Sequence, residues 1–127
     1  MIRIVDPAQV LPILHAARNA ADCNRRHVGA VVVDGYGRLI GVGWNGLRDG
    51  SCSRGECPRG KLSYGEMPAF SSYSGNCAAL HAEDSAIRMA GPRCEGGTIY
   101  VTCPPCPECE EIIEANGLRV EVVTLED

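Results

Sequence analysis

Two short segments constrain this chain more than anything else in it: His81-Ala82-Glu83, and further on Pro105-Cys106-Pro107-Glu108-Cys109. His81, Cys106 and Cys109 offer imidazole nitrogen and thiolate sulfur, both natural ligands of zinc. Three protein ligands leave the fourth tetrahedral position open to water, which makes a site catalytic rather than structural. Any fold for this chain must therefore bring the two segments together. Cys106 and Cys109 are i and i+3, so they share a face in the first turn of a helix, where partial positive charge favours thiolate over thiol. His81 and Glu83 are i and i+2, and in mid-helix they would point roughly 200° apart. They can serve one site only at a helix start, where the first residue need not have helical dihedrals. The run from Ala82 to Ala90 fits such a helix. Its apolar positions recur at helical spacing, and Gly91-Pro92 stops it.

Each half has a plainer reading. Cys-x-x-Cys alone could be a redox pair or half of a structural zinc site. Taken in this order, with Pro105 before the first cysteine, the two halves read as one catalytic zinc centre. Cys103 is a rival ligand three residues before Cys106. Its place at the end of a strand, outside the helix turn, leaves it out of the set.

The rest of the chain supplies a scaffold. Asp6-Pro7 reads as a helix cap and first turn, continued by the apolar run Val10 to Ala21, with Pro12 kinking the helix or shifting its start towards Leu11. Val28 to Asp34 is rich in valine and nearly all apolar, as in a strand buried on both faces. Asp34-Gly35-Tyr36-Gly37 is a hairpin turn, and Arg38 to Trp44 returns. Thr98 to Thr102 and Leu118 to Leu125 read as two further strands. Between them, Pro104-Pro105 turn into a helix that ends at Asn116 and the cap Gly117. A hairpin followed by strand–helix–strand crossovers predicts a mixed sheet with helices on both faces. Both ligand-bearing helix starts then fall at one edge, just after strand ends, where open α/β sheets bind ligands. The segment 45–80 breaks every period and is rich in Gly, Ser, Pro, Arg and Cys; a loop that long in a small domain reads as functional or otherwise stabilised.

Composition narrows the class. A chain of 127 residues suits one domain, here taken as 1–127. No stretch approaches a transmembrane span and no basic-then-apolar leader follows Met1, so a cytoplasmic protein with no membrane partner is expected. Eight cysteines without a leader favour metal binding over disulfides. A net charge of −4 with no basic stripe argues against a nucleic-acid polymer as partner. A small molecule fits better, anionic if a local arginine meets it.

These residues resemble the cytidine deaminase superfamily, most closely its deoxycytidylate deaminases, from about Cys23 to Val123. Beyond the zinc signature, Cys23-Asn24-Arg25-Arg26-His27-Val28-Gly29-Ala30 is similar to the family's C-x-R-x-x-V-G-A. Gly43-Trp44-Asn45-Gly46 resembles G-Y-N-G, His81 to Ile87 resembles H-A-E-x-N-A-I, and Tyr100-Val101-Thr102 also matches. The resemblance implies a three-layer α/β/α fold with a mixed sheet, one catalytic Zn2+, and hydrolytic removal of ammonia from a cytosine-type ring. Zinc lowers the pKa of a bound water to about 7, and Glu83 would take the water proton, pass it to the ring nitrogen and protonate the departing ammonia.

Asn45 would hold the sugar, Ala82 and Thr102 would also touch substrate, and Arg25, with Arg26 as its neighbour and rival, would meet a 5′-phosphate through its planar fork of donors. Cys23, Cys52, Cys57 and Cys77 fall where some family members bind a second, structural zinc; otherwise they are ordinary buried thiols. The long segment after Asn45 favours the deoxycytidylate branch. Departures are Ser85 for Asn, Trp44 for Tyr, and a chain that stops after its fourth strand, which leaves nucleotide-triphosphate regulation open. They keep a second substrate class in view: a modified cytidine nucleotide, a nucleoside or a guanine-like base. A non-catalytic zinc protein is the other class, and Glu83 argues against it. The resemblance also implies a homo-oligomer, for which the sheet layer offers a large helical face.

Overall fold

Strand β1, Gly29–Val33, lies at the centre of the sheet, and all five of its residues are buried. The structure, a computed structural model, describes residues 2–21, 27–46 and 81–125. In chain order the elements are a 3-10 turn (Pro7–Val10), α1 (Leu11–Ala20), β1, β2 (Leu39–Trp44), α2 (Ala82–Ala90), β3 (Thr98–Val101), α3 (Pro107–Ala115) and β4 (Arg119–Val122), with a second 3-10 turn at Gly91–Cys94. The sheet order is β2-β1-β3-β4. β1 is antiparallel to both neighbours, while β3 and β4 are parallel. This is the mixed sheet expected from a hairpin followed by crossovers.

The valine run of β1 sends alternate side chains to opposite faces, and both faces are covered. Val31 and Val33 meet Val10 and Leu14 of the N-terminal helical segment. Val28, Ala30 and Val32 join Ala82, Ala86, Ile87 and Ala90 of α2, Ile99 and Val101 of β3, and Ile113 of α3. The result is three layers: α1, the sheet, then α2 with α3.

Two element boundaries differ from the sequence reading. The first helix begins as a 3-10 turn: Asp6 Oδ1 accepts from Ala8 N at 2.9 Å, and the Gln9 side chain accepts from Asp6 N at 2.8 Å. The α-helix itself starts at Leu11, which puts Pro12 in its first turn, where no intrahelical N–H bond is lost. The last strand is shorter than Leu118 to Leu125, since Leu118 N is taken by Ile113 O at 3.2 Å in the helix cap.

Glycines decide how closely α2 approaches. A Cβ on Gly43 would run into the Ala82 carbonyl, and one on Gly41 into the Ala86 carbonyl. Their bare backbones let α2 lie directly on β2, which fixes the helix start that carries His81 and Glu83.

Candidate metal centre and active site

His81 is the N-cap of α2, with φ −77° and ψ 151°. Cys106 is the N-cap of α3, with φ −72° and ψ 165°. Neither side chain caps its own helix by a hydrogen bond. Each therefore leaves the helix axis and turns towards the other segment. Glu83 and Cys109 follow in the respective first turns. The i, i+2 problem posed by His81 and Glu83 is solved as the sequence requires, by extended backbone at the first residue.

The imidazole Nδ1 of His81 lies 3.1 Å from Cys109 Sγ and 3.4 Å from Cys106 Sγ. Donor atoms of the three residues lie within 4.8 Å of one another. Tetrahedral zinc with the usual bond lengths would hold nitrogen and sulfur about 3.5 Å apart, so the three donors fit that ion in both chemistry and spacing. Cys103 is not in this cluster; it lies in the bend after β3, half-buried against the core.

A cation would also change the electrostatics of these groups. Burial pushes the Cys109 thiol well above the ordinary thiol range, and the Glu83 carboxylate and Cys106 beside it push it further. A divalent ion at the centre reverses this balance, because positive charge draws both sulfurs into the thiolate form. Glu83 itself is only 5% exposed. A carboxylate buried beside two sulfurs is costly unless a cation or a proton offsets it.

Val28, Asn45, His81, Ala82, Glu83, Pro104 and Cys106 line one small cavity at this end of the sheet. Asn45 is 2% exposed, and its Oδ1 accepts from Val28 N at 2.8 Å. That bond anchors the carboxamide between the start of β1 and the end of β2. Thr102 sits at the end of β3 and does not line the cavity. Its Oγ1 accepts from Gly29 N at 3.1 Å, and its N–H donates to Gly29 O at 3.1 Å. Sequence reasoning missed Val28 and Pro104. Val28 acts through its backbone N–H, which carries no side-chain signal, whereas Pro104 could have been inferred from its place in the turn before Cys106. Expectations for Cys23, Arg25, Arg26, Cys52, Cys57 and Cys77 fall outside the described residues.

The order of layers and the His/Cys/Cys centre define a zinc-binding α/β protein with a buried carboxylate at the metal. Comparison with known proteins takes the assignment further. Residues 8–125 match the family described as "Cytidine and deoxycytidylate deaminase zinc-binding region". The deoxycytidylate deaminase of Mycobacterium phage D29 is 41% identical over 113 residues, covering 86% of each chain. That of Schizosaccharomyces pombe is 33% identical over 111 residues, which is 84% of this chain and only 33% of the yeast protein. Among solved structures, the dCMP deaminase of cyanophage S-TIM5 in complex with dCMP and dUMP superposes with a TM-score of 0.61 at 25% identity, over 91% of this chain and 81% of that one. The chain belongs to the cytidine and deoxycytidylate deaminase family, whose members are zinc-dependent hydrolytic deaminases.

Proposed function

We propose that this protein hydrolyses deoxycytidylate to deoxyuridylate and ammonia, as a single domain with one catalytic zinc. The reading rests on one observation above others: a buried carboxylate, Glu83, beside a His/Cys/Cys centre in a chain 41% identical to a phage deoxycytidylate deaminase. His81, Cys106 and Cys109 would hold the metal. When bound, zinc supplies the Lewis acidity that makes a water nucleophilic near neutral pH. Glu83 then moves the protons. It would accept one from the attacking water and deliver it to the ring nitrogen, then take the second from the hydroxyl now on the ring carbon and pass it to the amino group, so that ammonia leaves as the carbonyl forms.

Substrate would be held on the cavity side of the same residues. Asn45, anchored through its Oδ1 by the Val28 N–H, would meet the sugar through its carboxamide. Ala82 opens α2, and its N–H is one of the first-turn donors without an intrahelical acceptor. Thr102 lies outside the cavity lining and is assigned to substrate by its place in the family motif; its hydroxyl accepts from Gly29 N and retains its own proton to donate. Arg25 is assigned to the 5′-phosphate by its place in the family motif. Cys23, Cys52, Cys57 and Cys77 are proposed, from their places in the sequence alone, to hold a second, structural zinc. Cys94, Cys106 and Cys109 are thiols outside any disulfide, which suits a reducing compartment, and we place the enzyme in the cytoplasm as a homo-oligomer. Among the described residues no helix is long and apolar enough to cross a membrane.

The deciding experiment incubates zinc-loaded protein with dCMP, CMP, deoxycytidine, cytosine and guanine, and follows ultraviolet absorbance and ammonia. dCMP should turn over fastest. Arg25→Ala should then weaken dCMP about ten- to a hundredfold more than deoxycytidine, since hydrogen bonds to charged groups contribute roughly 1.5–3 kcal/mol. Asn45→Ala should hurt both alike. Turnover of a nucleoside or free base with dCMP untouched would sink the nucleotide assignment.

A further inference from the structure

The two outer edges of the sheet are treated differently. Along β2, Leu39 N donates to Ile2 O at 2.9 Å and Ile4 N to Gly37 O at 2.6 Å, so the N-terminal segment closes the start of that edge. Further along, Val42 N donates to the thioether sulfur of Met89 at 3.4 Å. Along β4 no described residue pairs with the outer side. Arg119 N bonds to Gly97 O and Val123 N to Val101 O, so odd-numbered residues turn their amides towards β3. Val120 and Val122 therefore present theirs outward. Their side chains are 38% and 47% exposed. β4 contains no proline, lysine or register shift; it is four residues long and charged at Arg119 and Glu121, so it admits only an edge partner that matches this charge pattern.

We propose that β4 is a dimerisation edge, at which a second copy of this chain pairs antiparallel about a twofold axis at Val120. The strand's own pattern selects the occupant and the register. Val120 and Val122 pair in the sheet with Ile99 and Val101, so they lie on the α2–α3 face; Arg119 and Glu121 lie on the other. Side chains opposite each other across an antiparallel pair share a face, so odd must meet odd and even must meet even. A twofold at Arg119 sets arginine against arginine, and one at Glu121 sets glutamate against glutamate. A twofold at Val120 sets Arg119 of each copy against Glu121 of the other, on both sides of a Val120–Val120 contact, and Leu118 against Val122. Opposite charges in directly facing positions stabilise such a pair and like charges oppose it. The outward amides also match. Val120 exchanges two N–H···O=C bonds across the axis, and Val122 N–H reaches the Leu118 carbonyl of the second copy, whose N–H is occupied by Ile113 O. Two four-stranded sheets become one of eight, and the half-exposed valines are buried.

The proposal does not depend on the substrate. Its test is a charge swap on the full-length protein, with the dimer dissociation constant measured by sedimentation equilibrium over a dilution series. Wild type should be a dimer, or a larger assembly built from such dimers. Arg119→Glu and Glu121→Arg should each raise the dissociation constant about tenfold or more, since the symmetry converts two facing ion pairs into two like-charge contacts. The double variant should restore wild-type association. Circular dichroism checks that each variant is folded, and Val120→Lys, which sets two ammonium groups on the axis, gives an independent second disruption. A monomeric wild type, as when another segment of the same chain covers β4, overturns the proposal. So does an oligomer indifferent to both single reversals, which would assemble through its helices instead.

Discussion

The two helix starts that make the metal centre are built alike and held differently. Each opens on a ligand in extended backbone, His81 or Cys106, and each carries a second functional group in its first turn, Glu83 or Cys109. Six of the nine residues of α2 are buried, against two of nine in α3. α2 lies on the bare backbones of Gly41 and Gly43, and its Ala82, Ala86 and Ala90 pack into the main core. α3 is anchored by Ile113, by Cys109 at the site, and by its C-terminal cap, where Gly117 takes φ 69° and Asn116 Nδ2 donates to Ile112 O at 2.7 Å. The His81–Glu83 half is thus preorganised by packing. The cysteine half depends more on what sits between the sulfurs. A proton shuttle must be aimed before the reaction, whereas a metal ligand can be drawn into place by the metal itself.

The largest effects should come from the groups that the two starts bring together. Glu83→Gln keeps nearly the carboxylate's shape but cannot carry protons. It should retain zinc and lose at least 10²–10⁴-fold in turnover, because the residue acts in more than one proton transfer. Full metal content with near-wild-type turnover would remove Glu83 from the mechanism. Cys106→Ala and Cys109→Ala should lose zinc and activity together, while Cys103→Ala should lose neither. Metal analysis of the purified variants decides, and a Cys103 variant stripped of zinc would overturn the ligand set.

Next comes the packing that holds α2. Gly43→Val drives a side chain into the Ala82 carbonyl, so the helix must lift or the strand must bend. Overpacking of this kind costs about 1–3 kcal/mol. A lower melting temperature should accompany lost activity, since the displaced residue adjoins His81 and Glu83. An unchanged melting curve would mean that α2 does not lie where its contacts with β2 put it.

The subtlest test separates the two halves directly. Chelation should lower hydrogen-exchange protection in α3 more than in α2, because α3 has the smaller share of buried side chains and loses two ligands rather than one. Equal loss in both helices would erase the contrast. Zinc uptake by the stripped protein should also release protons and weaken as the pH falls, since burial and Glu83 hold the Cys109 thiol protonated and its proton must leave before the sulfur binds. Binding that did not change with pH would show that the sulfurs are already ionised.

Much of this molecule was legible in the sequence because local rules act on neighbours. His81-x-Glu83 demands a helix start, Cys106-x-x-Cys109 demands a helix turn, and the valine run of β1 demands cover on two faces. The spans at Ala82–Ala90 and Gly29–Val33 follow from those demands. The first helix was less legible, because Asp6 and Gln9 close a 3-10 turn that competes with an α-helical start over the same residues. Asn45 could be singled out by motif, but its grip on Val28 joins residues from two strands and leaves no trace in either segment alone. Which residues carry the chemistry, and the element that presents each one, can be read from the chain alone, because ligand type and periodicity are properties of short stretches. It took the folded chain to show that Nδ1 of His81 meets both sulfurs, that Glu83 is buried beside them, and that among the described residues the N-terminal segment covers the start of one sheet edge while none covers the other. Each of these depends on how far apart two distant pieces of backbone come to rest, and that distance is set by packing across the whole domain.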